Sequence, residues 1–243
     1  MDGFIQWWNG IVASIVAWWD DLVFTFERCF IREDRYLQLL DGIGITVKIS
    51  LLAVLIGIAI GLAIAFCNLS KHKPLNWFGK LYTDIIRGTP SVTQLMIIYF
   101  VVFATVDWEK WIIAAIAFGI NSGAYVSEII RAGILSIDKG QTEAGRSLGL
   151  SGLQTMTFIV IPQAVKNIFP ALCNEFIVLI KETAIVGYIG LVDIQKAGDF
   201  IKSATFEAFM PLIATAIIYF VLIKILTVIM ARVEKALRKS EVK

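Results

Sequence analysis

Charge is what this chain is short of. Asp, Glu, Lys and Arg make up only 17% of its 243 residues and the mean hydropathy is +0.76, whereas soluble globular domains carry roughly 25% charge. That shortage excludes a water-soluble domain and makes the chain an integral membrane protein. The single histidine, His72, lies in a Lys-His-Lys loop and reads as a solvated residue, not as a ligand or catalyst. Three cysteines, Cys29, Cys67 and Cys173, are widely scattered without C-x-x-C spacing, which excludes a disulfide framework and a zinc site, so no metal is expected. No G-x-x-x-x-G-K-[ST] occurs, the nearest fragment being Gly79-Lys80-Leu81; a nucleotide, if used, must be held by another polypeptide. H-E-x-x-H and G-x-S-x-G are missing too, which counts against an intramembrane enzyme. A net charge of +2 leaves no nucleic-acid footprint.

What the chain has is apolar length. Runs at Ile43 to Cys67, Pro90 to Val106, Trp111 to Ile130, Pro170 to Ile189 and Pro211 to Met230 predict an all-α membrane protein of about five spans, since a crossing needs roughly 20 residues. The second run is short, so its helix is expected to start upstream of Pro90, after Asn76. Gly57 and Gly61 in the first run form a G-x-x-x-G, which lets helix backbones approach closely in lipid. Phe4 to Trp19 is apolar, holds four tryptophans and precedes Asp20 and Asp21. It lacks the basic n-region and cleavage site of a signal peptide, and tryptophan favours the headgroup level, so residues 4–30 predict an interfacial helix with a sixth span as the other option.

Basic residues set the orientation. One side holds Lys71, Lys73, Lys80, Arg87, Arg131, Lys139, Arg146, Lys166, Arg232, Lys235, Arg238, Lys239 and Lys243; the other holds Arg28, Arg32, Arg35, Lys110, Lys196 and Lys202. The richer side is expected in the cytoplasm, which puts the N-terminus outside and the C-terminus inside.

A polar interruption, Glu143 to Pro162, then falls on the cytoplasmic side. Leu148 is the last good helix former, and Gly149 suits the left-handed residue that ends a helix. Ser151 and Gln154 have capping-box spacing, which starts another helix, and Pro162 is expected to limit or kink it. A helix, a glycine elbow and a second helix are predicted.

The order Glu143-Ala144-Gly145, three residues, Gly149, nine residues, Ile159, one residue, Ile161-Pro162 resembles the EAA loop of ABC-importer permeases, E-A-A-x3-G-x9-I-x-L-P. The departures are Gly145 for the second Ala and Ile161 for Leu. Arg87-Gly88-Thr89-Pro90, Gln94, Ile98-Tyr99-Phe100, Ala124 to Arg131, Lys139-Gly140-Gln141, Pro162-Gln163-Ala164, Asn174-Glu175-Phe176 and Lys181-Glu182-Thr183-Ala184 are similar to the polar amino-acid permeases. The similarity covers residues 40 to 230, roughly, and leaves residues 1–36 without any.

The resemblance implies the type I importer fold. Together with the reading of the tryptophan-rich start as an extracytoplasmic interfacial segment (1–36), it divides the chain into that segment, a transmembrane permease domain (37–232) with a cytoplasmic coupling loop at 139–163, and a cytoplasmic tail (233–243). It also implies partners: an ATPase dimer that binds ATP and magnesium, an extracytoplasmic amino-acid-binding protein, and a second permease copy, identical or homologous. The permease itself needs no cofactor. Glu143, Ala144, Gly145, Gly149 and Pro162 would receive the push of ATP hydrolysis, with Ala144 and Gly145 small enough to enter a groove of the partner.

A zwitterionic amino acid needs polar groups at mid-depth, and the candidates are Gln94, Tyr99, Asn121, Ser122, Tyr125, Asn174, Glu175 and Lys181. Taken singly, each is equally suited to an interhelical hydrogen bond. Glu175 replaces an expected uncharged residue and would favour a cationic cargo. Glu128 and Arg131, one turn apart, suit a local ion pair, and Arg87-Gly88-Thr89-Pro90 a helix start or supporting turn. An ion-coupled secondary amino-acid transporter is the rival, and it would need inverted repeats that the motifs do not show. Cystine or an opine-like derivative is the other cargo within the same class.

Overall fold

A computed structural model describes residues 1–238. The end of the predicted tail, 239–243 with Lys239 and Lys243, lies outside the described residues. The chain folds as helices: α1 (Asp2–Phe26), α2 (Tyr36–Leu69), α3 (Lys73–Arg87), α4 (Ser91–Ile97), α5 (Lys110–Leu135), α6 (Lys139–Ser147), α7 (Gly152–Thr155), α8 (Ile161–Glu182), α9 (Ile194–Thr205) and α10 (Phe209–Arg238).

Among the described residues α2, α5 and α10 are each long and apolar enough to cross a membrane, and α3 with α4 and the π-helical turn Ile98–Val102 that extends it meets the same test only as a pair, bent by 103° at the break between them. The fourth predicted run falls on α8, which packs against α2, α5 and α10; it buries Glu175, half-buries Lys166 and Glu182, and leaves Lys181 exposed. Burial ranks the helices. The most apolar window of α5 is 67% buried and that of α10 only 6%, so α5 is the axis of the fold and α10 its rim.

The α2–α5 seam is built on small residues, as close packing in lipid requires. A Cβ added to Gly119 would meet Ile56 Cβ at 2.6 Å, and one added to Gly123 would meet Ile60 Cγ2 at 2.7 Å; from the other side, one at Gly57 would meet Ser122 Cβ at 3.0 Å and one at Gly61 would meet Val126 Cβ at 2.7 Å. The G-x-x-x-G at Gly57 and Gly61 is thus one half of a reciprocal pair. Ile49 and Ala53 of α2, Ala114 and Phe118 of α5, Leu179 of α8, and Val186 and Ile189 form the main core.

Two boundaries differ from those expected, and at a third, where a limit or a kink was expected, the limit is not found. The second run does not extend α4 smoothly upstream: α3 begins at Lys73, before Asn76, and ends at Arg87, and Gly88 to Pro90 break the chain. Proline has no N–H and disfavours helix in the residue before it, and Pro90 is the N-cap of α4. Pro162 does not end its helix. A π turn, Met156–Val160, carries the chain from α7 into α8, with Ile161 N–H donating to Met156 O; widening the turn accommodates the ring and the missing N–H. The run from Pro170 to Ile189 is helical from Ile161 only to Glu182, with Pro170 inside it, and continues as a 3₁₀ segment, Thr183–Ile189.

Residues 1–36 stand apart. At 100° per residue, Phe4, Ile11, Ile15, Trp18 and Leu22 line one side of α1, and Gln6, Asn9, Ala13, Ala17 and Asp20 the opposite one. Trp7, Trp8, Trp18 and Trp19 are all exposed. After a π turn, Glu33 and Asp34 take positive φ and interrupt the helix, while Cys29 and Phe30 are buried beside Ala197 and Ile201 of α9.

Candidate functional site

The interruption at Glu143–Pro162 folds as a hairpin of helices. Asp138 caps α6 by accepting from Gly140 N–H at 2.7 Å. At its other end Gly149 has φ +85°, its N–H donates to Arg146 O at 3.1 Å and Leu150 N–H donates to Gly145 O at 3.2 Å, the paired bonds of a Schellman termination. Ser151 Oγ accepts from Gln154 N–H at 3.2 Å and Gln154 Oε1 accepts from Ser151 N–H at 2.8 Å, a complete capping box.

The two arms meet at Gly145. It is buried, and a Cβ there would lie 2.7 Å from Ile159 Cδ1 and 2.8 Å from Thr155 Cγ2. Glycine in place of the usual alanine lets the second arm press on the first, so Gly145 faces inward and not a partner's groove. The outward face holds Glu143 and Ala144, both exposed, flanked by Leu148 at 82% and Leu153 at 78% exposure. Two leucines presented by a rigid, doubly capped turn form an apolar knob on a polar loop. The sequence signalled the caps but not this knob.

The predicted substrate residues separate into groups. Gln94 is buried, and its Nε2 donates to Ile86 O at 2.7 Å and Thr89 Oγ1 at 2.6 Å while its Oε1 accepts from Asn121 Nδ2 at 2.8 Å. The amide therefore serves the free carbonyls at the end of α3 and ties the break to α5. Ser122, next to Asn121, donates to Glu175 Oε1 at 2.8 Å, and Glu175 is only 9% exposed. A polar stripe thus runs from Thr89, in the break before α4, through Gln94 to Asn121 of α5, and from the next residue of α5, Ser122, to Glu175 of α8.

Tyr125 lies under Arg87, whose guanidinium carbon is 5.3 Å from the ring centre. Tyr99 packs at the edge of the main core and meets Phe100 edge-on at 4.8 Å. Asn174 and Lys181 are exposed, and no hydrogen bond within the described residues joins them to the stripe. The pair of Glu128 and Arg131 forms, at 2.8 Å.

One buried group escaped the sequence. Asp193 is 0% exposed; it caps α9 by accepting from Lys196 N–H at 3.0 Å and also accepts from Tyr219 Oη of α10 at 3.0 Å. Burial pushes its carboxyl up from the ordinary range, while these donors pull it down. Its peptide also lies 2.7 Å from where a Cβ at Gly42 would stand, so it fastens α2, α9 and α10 together. The signal was an N-cap residue followed by Ile194, Ala197 and Ile201 at helical spacing.

Residues 54–239 match the family described as binding-protein-dependent transport system inner membrane component. A putative glutamine transport system permease protein GlnP of Rickettsia bellii (strain RML369-C) is 41% identical over 214 residues, covering 87% of this chain and 98% of its own. The arginine transport system permease protein ArtQ of Bacillus subtilis (strain 168) is 43% identical over 205 residues, covering 84% of this chain and 94% of its own. The crystal structure of an amino acid ABC transporter with histidines superposes with a TM-score of 0.78 at 41% identity, over 85% of this chain and 98% of that one.

Proposed function

The chain belongs to the family of binding-protein-dependent transport system inner membrane components, and from that premise we propose that it takes up polar amino acids by alternating access, driven by a separate ATPase dimer that binds ATP and magnesium. The observation that carries the coupling is the doubly capped elbow with exposed Leu148, Ala144 and Leu153. A short helix held at both ends moves as a unit, so closure of the ATPase beneath it is transmitted into α8 and α5. Glu143 and Ala144 make the contact, Gly149 sets the direction of the elbow, Gly145 locks the arms, and Pro162 sits where the second arm enters α8. The elbow faces the cytoplasm, the C-terminus is inside, and a binding protein delivers the cargo to the opposite face. A second permease copy completes the pathway, with α10 at the rim.

For the cargo, Glu175 is the group with the strongest chemical preference. A carboxylate reached through Ser122 and backed by the amides of Asn121 and Gln94 suits the ammonium or side-chain cation of an amino acid, with Tyr99, Tyr125, Asn174 and Lys181 lining the way. The test is ATPase activity of the reconstituted complex, with its ATPase and binding protein, against a panel of amino acids. Stimulation by polar amino acids is expected, and Glu175→Gln should cut stimulation by a basic one roughly tenfold more than by a neutral one, as loss of one charge-assisted bond of about 1.5 kcal/mol implies. Transport without any ATPase subunit overturns the mechanism, and an equal effect of Glu175→Gln on both cargos overturns the role of Glu175.

The placement of α1 rests on its sided composition. We infer that it lies at the outer membrane surface with its Trp-rich side in the lipid. A reporter fused ahead of Asp2 should give an extracytoplasmic signal. An intracellular signal would make α1 a further crossing.

A further inference from the structure

The link between α2 and α3 holds a cavity of about 440 Å³ lined by Ser70, Lys71, Lys73, Asn76, Trp77 and Lys80. None of its lining residues is acidic; Asp84 lies one turn beyond Lys80 on α3. Lys73, Trp77 and Lys80 follow one another at spacings of four and three residues, so they share one stripe of α3. Among the described residues neither Lys71, Lys73 nor Lys80 has an acidic partner within 4 Å. Asn76 is anchored by donating to Asn68 O at 2.6 Å, and Ser70 Oγ accepts from His72 N–H at 3.1 Å, which leaves the Ser70 hydroxyl proton free to donate. The cavity offers three ammonium groups and a hydroxyl, with no anion to meet them.

The neighbouring surface decides what kind of anion fits. Trp77 is 65% exposed, and Leu81 and Ile85, one and two turns further along α3, are exposed as well. A cationic cavity therefore opens directly onto an apolar track on a helix at the end of a span. A free phosphate has no use for the track. A phospholipid uses both, with its phosphate among the lysines and its chains along Trp77, Leu81 and Ile85. We propose that this cavity binds an anionic phospholipid of the leaflet at which α2 ends. The site tethers the bent α3–α4 pair to the membrane surface at its start. It depends neither on the cargo nor on the ATPase.

The test uses the delipidated complex, titrated back with phosphatidylglycerol and read by native mass spectrometry. Phosphatidylcholine, glycerol phosphate and inorganic phosphate serve as comparison ligands. Phosphatidylglycerol should bind best. Each lysine near a charged surface contributes roughly a fivefold factor, so Lys71→Gln, Lys73→Gln and Lys80→Gln together should weaken phosphatidylglycerol on the order of a hundredfold. The matching Arg variants should keep it, and phosphatidylcholine should be unaffected. If the triple variant does not assemble, Lys73→Gln and Lys80→Gln alone should each lower binding about fivefold. Tight binding of glycerol phosphate would reassign the cavity to a soluble anion and overturn the proposal. So would equal binding of both lipids, or Gln variants that bind phosphatidylglycerol like the parent.

Discussion

Replacing Gly149 with proline should abolish uptake while leaving the spans assembled. Gly149 has φ +85° and its N–H donates to Arg146 O at 3.1 Å. Proline holds φ near −65° and has no N–H, a mismatch worth about 3 kcal/mol or more, so the native elbow would be populated less than about a hundredth as often. Space is not the cause, since nothing lies within 4 Å of a Cβ built at this position. The comparison that separates conformation from size is Gly149→Asn, which tolerates the left-handed region and should keep most activity. Ala144→Trp adds bulk on the exposed face without strain, and should lower uptake by weakening the ATPase contact. The measurement is uptake together with ATP hydrolysis by the reconstituted complex. Normal uptake by Gly149→Pro and Ala144→Trp would remove the elbow from the coupling path.

The second large effect is on folding. Gly61→Leu places its first added carbon 2.7 Å from Val126 Cβ and forces it against Val126 Cγ1, at the middle of the seam between α2 and the most buried helix. Overpacking a tight core costs about 1–3 kcal/mol when side chains can adjust. Here the neighbour is β-branched and stiff, so the helices must separate along the seam that includes Gly119 and Gly123. The variant is expected to lose most of its yield of assembled complex in detergent, with a clear drop in the midpoint of thermal unfolding. Gly44 is on the same helix with nothing within 4 Å of a built Cβ, so Gly44→Leu should behave like the parent. Equal stability of the two variants would sink the seam as the fold's organising contact.

The sequence made legible what local chemistry controls. Apolar length marked the long helices α2, α5 and α10, and Gly149, Ser151 and Gln154 marked the elbow, because a left-handed residue and a capping box act within one turn of chain. What escaped depends on groups far apart in sequence. The bend at Gly88–Pro90 is stable because Gln94, itself held by Asn121 of α5, serves the carbonyls of Ile86 and Thr89; no local pattern announces that partnership. Gly145 could be read as small, yet only the packing of Thr155 and Ile159 shows which way it faces. The polar residues of the second to fourth runs were recognisable as a set, but their division into a polar stripe, two tyrosines packed elsewhere and two exposed outliers required the helices to be placed. Asp193 was missed because α9 is too short and polar to register beside the apolar runs.

The π turn at Met156–Val160 gives the second arm of the elbow a property that α8 alone would not confer. One residue added to a helix turns everything beyond it by about 100°. The compass bearing of Leu148 and Leu153 relative to Glu175 is therefore set by a count of residues in one wide turn, and a regular helix through Pro162 would point the same knob toward a different quarter.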